Sequence, residues 1–466
     1  MNATRAEQRG DGAVSAAAIL ALALPSSTMF LLATLVGIAM IRFAATLGPD
    51  AVAAVSAGAR LYNVFIALAA GINAGALALI ANAWGAGRRV EAERYLALAL
   101  AVAALLGATV TLLTWFGAGP LLGLFGLDPG AHTASVSYTR WLALFYAPIA
   151  IYLVLASGLR AAGDARTPML ISLLGNGVSL WLAWRWSVAP PFGLQPHVRY
   201  IALGLGLGNV AGAVAALALW RAGRLALAPV RPDTDSRQRL KSLWQVGYPA
   251  ALEQGLLQFG IIAFLWVVAQ YGTAAFTAYG TSISLLSLAM VIGFGFSVAV
   301  SVLVGQQLGA GSAANARLVA LRALGVTVVT LSVPGVILAY YAYPIALWLT
   351  GDAGIAAHAV PILYAFTLSL PMLAVEFCLG GALRGAGDTR FPLLNVLAGL
   401  IVVRFGLALL FYHQGLGVNW IYATLIADYA VKNALLVWRF RSGRWMKLLP
   451  AGRGTPSPAE PVLVRL

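Results

Sequence analysis

The chain has 466 residues, 61% of them hydrophobic and only 10% charged. A water-soluble domain carries about 25% charged residues, so this composition cannot coat a water-facing surface and places the chain in the membrane class. The net charge of +15 could point to nucleic acid, but basic residues gathered in loops beside apolar segments follow the positive-inside rule, and no nucleic-acid partner is expected.

The polar opening stretch lacks a small-residue cleavage pattern, so Ala16 onward reads as a retained first helix and not as a signal peptide. A spanning helix needs about 20 mostly apolar residues. Twelve segments meet that need: 16–41, 52–83, 94–117, 135–159, 168–187, 199–220, 244–270, 275–306, 318–347, 358–383, 392–413 and 418–438. Period-2 alternation is absent, which argues against a β-barrel. The expected fold is an all-α integral membrane protein with twelve transmembrane helices in two pseudo-two-fold-related six-helix lobes. The expected division is an N-terminal tail (1–15), an N-lobe (16–220), a linker (221–243), a C-lobe (244–440) and a C-terminal tail (441–466). The linker carries six basic residues between Arg221 and Lys241. The N-terminus, the even-to-odd connections and the C-terminal tail hold 23 of the 30 Lys and Arg, counting Arg94 and Arg322 at the mouths of helices 3 and 9, and the opposite side holds only Arg42 and, at the mouth of helix 6, Arg199. That asymmetry puts both termini and the linker in the cytoplasm.

An internal repeat supports the two-lobe layout. Sliding the chain by 224 residues lays Pro25 on Pro249, Gly48 on Gly272, Gly85-Ala86-Gly87 on Gly309-Ala310-Gly311, Pro120 on Pro344 and Asp128 on Asp352. The same shift lays Leu159, Arg160, Ala162, Gly163, Asp164, Arg166 and Pro168 on Leu383, Arg384, Ala386, Gly387, Asp388, Arg390 and Pro392. Six helices per repeat keep both halves in the same orientation, with a binding cavity expected between the lobes near an axis along the membrane normal.

Leu-Arg-x-Ala-Gly-Asp-x-Arg-x-Pro, present twice, is the most specific motif. Its Gly permits a tight reversal, its Asp can cap the next helix or pair with an Arg, and its Pro suits a first helical turn, so its role reads as structural. Pro25 and Pro249 lie inside their helices, where each removes a backbone hydrogen bond and makes either a hinge or a static bend. Gly204, Gly208 and Gly212 form a small-residue stripe that suits close helix packing.

Together, the doubled motif, the prolines of helices 1 and 7, the Gly-Ala-Gly turns and Arg404 twelve residues after Pro392 resemble the multidrug and toxic compound extrusion (MATE) family of the MOP flippase superfamily. The resemblance covers nearly the whole chain. It implies a monomeric inner-membrane transporter for small molecules, embedded in the lipid bilayer. Branches of the family that use acids in helices 1 and 5 would need them near positions where this chain has Met40, Ser179 and Ala183, with only Asn176 of the helix 5 polar pattern kept. The NorM-like branch places acids in helices 7 and 10, and here Glu253 and Glu376 lie in those helices, each offset by about one turn.

Chemistry at membrane depth narrows the reading further. Cys378 is the one cysteine, so no intramolecular disulfide forms, and four scattered histidines show no metal-ligand spacing. None of the lysines, Lys241, Lys432 and Lys447, lies in a P-loop, so neither ATP hydrolysis nor any cofactor beyond a coupling H+ or Na+ is expected. Of fifteen acids only Glu253, Glu376 and Asp428 fall inside predicted helices, and ionisable groups at that depth are costly. A rise of 1.5 Å per residue puts Glu253 about 14 Å and Glu376 about 12 Å from the cytoplasmic face, so the two are expected to share a cavity as the ion-coupling site. Gln254, Gln258 and Tyr279 are candidate partners there. Arg404, Asp428 and Lys432 read as a neutralised network, with Lys432 one turn after Asp428. Arg60 has no acid at its depth in its own half, and either snorkels outward or attracts an anionic group. An antiporter is the first reading, and a flippase for a lipid-linked precursor is the rival. A membrane enzyme is disfavoured because no nucleophile–base pair lies at membrane depth.

Overall fold

The computed structural model describes residues 15–190, 195–230 and 236–449. Among them are helices that account for the twelve spans in order. They are α1 (Ala16–Ala45), α2 (Pro49–Gly85), α3 (Arg89–Gly123), α4 in two pieces (Pro129–Ala143 and Tyr146–Ala161), α5 (Arg166–Val188) and α6 (Val198–Arg221). The second half follows with α7 (Ser236–Ala269), α8 (Thr273–Gly309), α9 (Ala313–Tyr340), α10 (Ala353–Gly385), α11 (Arg390–His413) and α12 (Val418–Arg441). Nine of these are each long and apolar enough to cross a bilayer, and the two pieces of α4, bent by 50°, make a tenth. The other two, α5 and α12, have 23 and 24 residues, enough to span, but carry more polar side chains. In α12 these include Asp428, Lys432 and Asn433, and their placement is the key to the site below.

Residues 1–14, 231–235 and 450–466, which hold most of the expected tails and part of the linker, lie outside the described residues. The expected linker is shorter than its sequence suggested, because residues 236–243 already form the first turns of α7. Arg237, Arg239 and Lys241 made that stretch read as a loop, yet a helix end beyond the apolar slab carries charge without penalty. The C-terminal stretch folds back as well: Trp445 is buried on Phe440, and its indole N–H donates to the Phe440 carbonyl at 2.9 Å.

The doubled motif makes both of the turns its sequence allows. Gly163 and Gly387 hold φ of +97° and +80°, a region that favours glycine. Asp164 accepts from the Thr167 N–H at 3.0 Å and so caps α5, whereas Asp388 accepts from Arg439 at 2.8 Å. Thr389 donates to the Val246 carbonyl at 2.7 Å, tying the second turn to α7. Helices α1 and α7 run through Pro25 and Pro249 without interruption.

The halves meet along α1 with α8, α2 with α7 and α2 with α8. Among the described residues, every close glycine approach between halves lies in the part of these helices nearest the linker. A Cβ on Gly71 would meet the Gly247 carbonyl at 2.7 Å, one on Gly75 the Leu243 carbonyl at 2.9 Å, and one on Gly295 the Ser27 N at 2.6 Å. On Gly309 it would collide with the Asn82 backbone. The core follows the same division. One apolar cluster joins the first half to the linker end of the second, and a separate cluster of residues between Phe264 and Tyr429 fills the far end of the second half alone. The lobes are thus sealed together at the linker end and packed separately at the other.

This seam gives a direct test. Gly309→Leu forces a side chain into backbone and should destabilise the purified protein by about 1–3 kcal/mol or more. Gly325→Leu, on α9 with nothing within 4 Å of its Cβ position, should leave thermal unfolding unchanged. Equal effects of the two would contradict the seam.

Candidate functional site

The two halves diverge most where α11 meets α12. Helices α6 and α12 both have 24 residues and align end to end, so Gly208 corresponds to Asp428 and Gly212 to Lys432. In the first half this contact is backbone on backbone. A Cβ on Gly175 would meet the Gly208 carbonyl at 3.0 Å, and one on Gly204 would meet the Ala183 N at 2.5 Å. Ser179 closes the contact by donating to the Leu205 carbonyl at 3.1 Å, while Met40 and Ala183 are core residues. The first-half positions that lack acids are therefore filled by packing.

In the second half the same place holds charges. Residues Leu397–Phe405 of α11 form a π-helix, whose wider i→i+5 ladder often marks functional sites. Its Gly399, the counterpart of Gly175, leaves the room that Asp428 and Lys432 occupy; a Cβ there would collide with both side chains. Lys432 Nζ lies 3.2 Å from Asp428 Oδ1 and 3.5 Å from Glu376 Oε1, so one ammonium serves two carboxylates. Arg404 Nη1 lies 3.9 Å from Asp428 Oδ2, its Nη2 donates to the Tyr279 hydroxyl at 2.7 Å, and its guanidinium sits 4.2 Å from the centre of the Phe264 ring. Asp428 is wholly buried, yet neither carboxylate oxygen has a hydrogen bond of good geometry; charge alone holds it.

Glu253 takes another partner. Arg384 Nη2 donates to its Oε1 at 2.5 Å and Nε to its Oε2 at 3.4 Å, while Nη1 donates to Ser297 Oγ at 3.3 Å. The expected Glu253–Glu376 pair is thus two carboxyls in one charged neighbourhood, each held by its own cation. Three acids face three bases: Glu253, Glu376 and Asp428 against Arg384, Lys432 and Arg404. Burial of such charges is tolerable only when they are paired. Within the set Glu376 is the most accessible carboxyl, with its side chain 18% exposed against 3% for Glu253 and 0% for Asp428.

Other expected residues lie elsewhere. Gln254 is half-buried and Gln258 exposed, and neither hydrogen-bonds the carboxyls among the described residues. Tyr279 belongs to Arg404 and not to the glutamates. Asn176, on α5, donates to Ser172 at 3.0 Å, far from the charged set in the fold. Arg60 is exposed on α2 and has no hydrogen bond or ion pair among the described residues. Arg384 is the partner that the sequence reading missed, because it stands in the turn motif; its signal was a long cation in the last turn of the helix that carries Glu376. A pocket of about 630 Å³ at the linker end, lined by Asn82, Arg88, Glu91, Asp388 and Arg439, belongs to the seam and lacks all six charged groups of the cluster.

Comparison with known proteins decides the family, because the MatE family model matches residues 25–184 and 249–410, one stretch in each half. The chain belongs to the MatE family. A probable multidrug resistance protein NorM of Thermotoga maritima is 27% identical over 438 residues, covering 92% of this chain and 93% of the relative. The multidrug resistance protein NorM of Burkholderia vietnamiensis is 28% identical, covering 85% of this chain and 87% of the relative. Among solved structures, a MOP superfamily transporter from Pyrococcus furiosus superposes with a TM-score of 0.85 at 21% identity, over 92% of this chain and 96% of that one. An outward-facing multidrug resistance MATE family transporter matches with the same score at 22% identity and the same coverage. The fold of this MatE protein is therefore that of MATE transporters, twelve helices in two lobes, and the chain is not an enzyme.

The charged network makes a stability prediction. Removing one member of a buried pair leaves an uncompensated charge and costs about 3–5 kcal/mol. Asp428→Asn leaves Arg404 without a carboxylate and Lys432 with Glu376 alone, and should lower thermal stability on that scale. An Asp428→Asn protein as stable as wild type would refute the pairing.

Proposed function

We propose that this MatE protein is a secondary antiporter that exports small organic compounds, amphipathic or cationic, in exchange for inward H+ or Na+. Its setting is the inner membrane, with both termini and the linker in the cytoplasm, and it works as a monomer. The multidrug resistance relatives support efflux as its class. The observation that carries the coupling is Lys432, shared between Asp428 and Glu376. Glu376 is the coupling carboxyl most open to exchange. When it takes a proton or a cation, Lys432 loses one of its two anions and turns wholly to Asp428, which draws α10 and α12 into a different arrangement. Glu253 couples in the same way through Arg384, and both carboxyls hang from α10, either directly or through its arginine. Alternating access then follows as the sealed seam at the linker end opens and the far ends of the lobes close.

An ion can shift such an equilibrium only through its differential affinity for the two arrangements. Coupling energies of 1–3 kcal/mol correspond to roughly 5- to 150-fold effects. The test is transport by purified protein in proteoliposomes, under separate proton and sodium gradients and without ATP, against a panel of cationic, neutral and anionic compounds. Glu376→Gln and Glu253→Gln keep the side-chain shape and remove titration, so each should cut gradient-driven export by about tenfold or more while the protein still inserts. Wild-type export by both variants from about pH 6 to 8 would remove the carboxyls from the coupling. Export that needs ATP and no gradient would remove the antiporter reading.

A further inference from the structure

The 224-residue repeat sets each polar group around Arg384 against a counterpart around Arg160. Glu253 corresponds to Met29, Ser297 to Asn73, Gly381 to Ser157 and Glu376 to Tyr152. The arginine is kept in both halves, but its acids are kept only in the second. Arg384 has Glu253 on it and Glu376 close enough to act on its charge. Arg160 has Met29 and Tyr152 in those places.

Arg160 is 9% exposed. Its Nη2 donates to Ser157 Oγ at 2.8 Å, and its Nη1 lies 3.5 Å from Met29 Sδ, a weak acceptor. Ser157 in turn donates to Asn73 Oδ1 at 3.0 Å. Arg160 Nε has no partner, and among the described residues Tyr152, and no carboxylate, is the ionisable group that acts on its charge. Tyr152 spends its own hydroxyl hydrogen on the Pro168 carbonyl at 2.8 Å. A guanidinium stays protonated in proteins, so this cation cannot escape burial by losing a proton. A buried charge without a counter-charge is costly.

We infer that Arg160 binds one small monovalent anion, a halide or a carboxylate group, in the position relative to its guanidinium that the Glu253 carboxylate takes on Arg384. The unpaired Nε supplies a charged donor, and Nη2 beside it completes the edge that Arg384 turns to Glu253. Ser157, bonded to both Arg160 and Asn73, can rotate its hydroxyl toward an incoming anion. The thioether of Met29 is unbranched and flexible, so it can yield the space. The first half would then carry a neutralised arginine like the second, with an exchangeable anion where the second half has a fixed one. The inference stands apart from the antiport reading, since it concerns the other lobe and needs no transport.

The decisive variant is Met29→Glu, which installs in the first half the carboxylate that the second half already has. Thermal unfolding of the purified full chain is followed in a buffer whose anion is a bulky sulfonate while chloride, and in a second series acetate, replaces the sulfonate at constant ionic strength. Wild type should show a saturable rise in Tm of about 2 °C with one or both anions. A response to chloride identifies a free ion as sufficient, and a response to acetate alone identifies a carboxylate group as the ligand. Met29→Glu should start with a higher Tm and show no anion response, and Arg160→Gln should also lose it. The inference is overturned if wild type responds to neither anion, or if Met29→Glu keeps the wild-type response. Should Arg160→Gln fail to fold, the comparison of wild type with Met29→Glu still decides.

Discussion

Asp428 is a wholly buried carboxylate on a helix that faces lipid-depth neighbours, and its neutralisation constrains the structure around it. It needs Lys432 one turn away on its own helix and Arg404 on the next. Arg404 needs Tyr279 and Phe264 to hold its fork and its face. The side chains need volume, which comes from Gly399 and from the π-helical stretch of α11. Lys432 then has charge left for Glu376, and through α10 the set reaches Arg384 and Glu253. Each member is affordable at that depth only because the others are present.

The two halves share one scaffold and use it differently. Where the second half sets charges between α11 and α12, the first half sets glycines between α5 and α6 and packs backbone on backbone. Small-residue contacts of that kind hold helices together in lipid without polar groups. The first lobe is a tightly packed body in that region, and the second carries buried carboxylates paired with cations. The seam between lobes is again glycine against backbone, confined to the linker end. The seam also carries hydrogen bonds between the halves, from Ser27 Oγ to the Ile292 carbonyl at 3.2 Å and from Gln306 Nε2 to the Ala161 carbonyl at 2.7 Å.

Much of the fold was legible in the sequence because its causes are local. Apolar run length depends on neighbours along the chain, the shared 224-residue offset is read by comparing the chain with itself, and the doubled turn motif places its glycine, aspartate and proline by backbone rules alone. The site was legible only in part. Spacing put Asp428 and Lys432 on one helical face, and depth put Glu253 and Glu376 at one level. Pairing between helices depends on how each helix is rotated, which spacing does not encode. Arg384 therefore went unassigned although it reaches Glu253, and Gln254 was a candidate although it hydrogen-bonds neither carboxyl among the described residues. The π-helix has no signature in residues 397–405, which are apolar and regular apart from Arg404. The start of α7 was obscured by its own basic residues.

On the proposed coupling, Glu376 exchanges its proton or cation against the shared Lys432 ammonium. Difference infrared spectroscopy of the purified protein, stepped in pH and in sodium, reads carboxyl groups directly. A carboxyl band should respond to one of these steps, be missing in Glu376→Gln and persist in Gln258→Ala. A spectrum with no responding carboxyl band, or a band unchanged in Glu376→Gln, would contradict it.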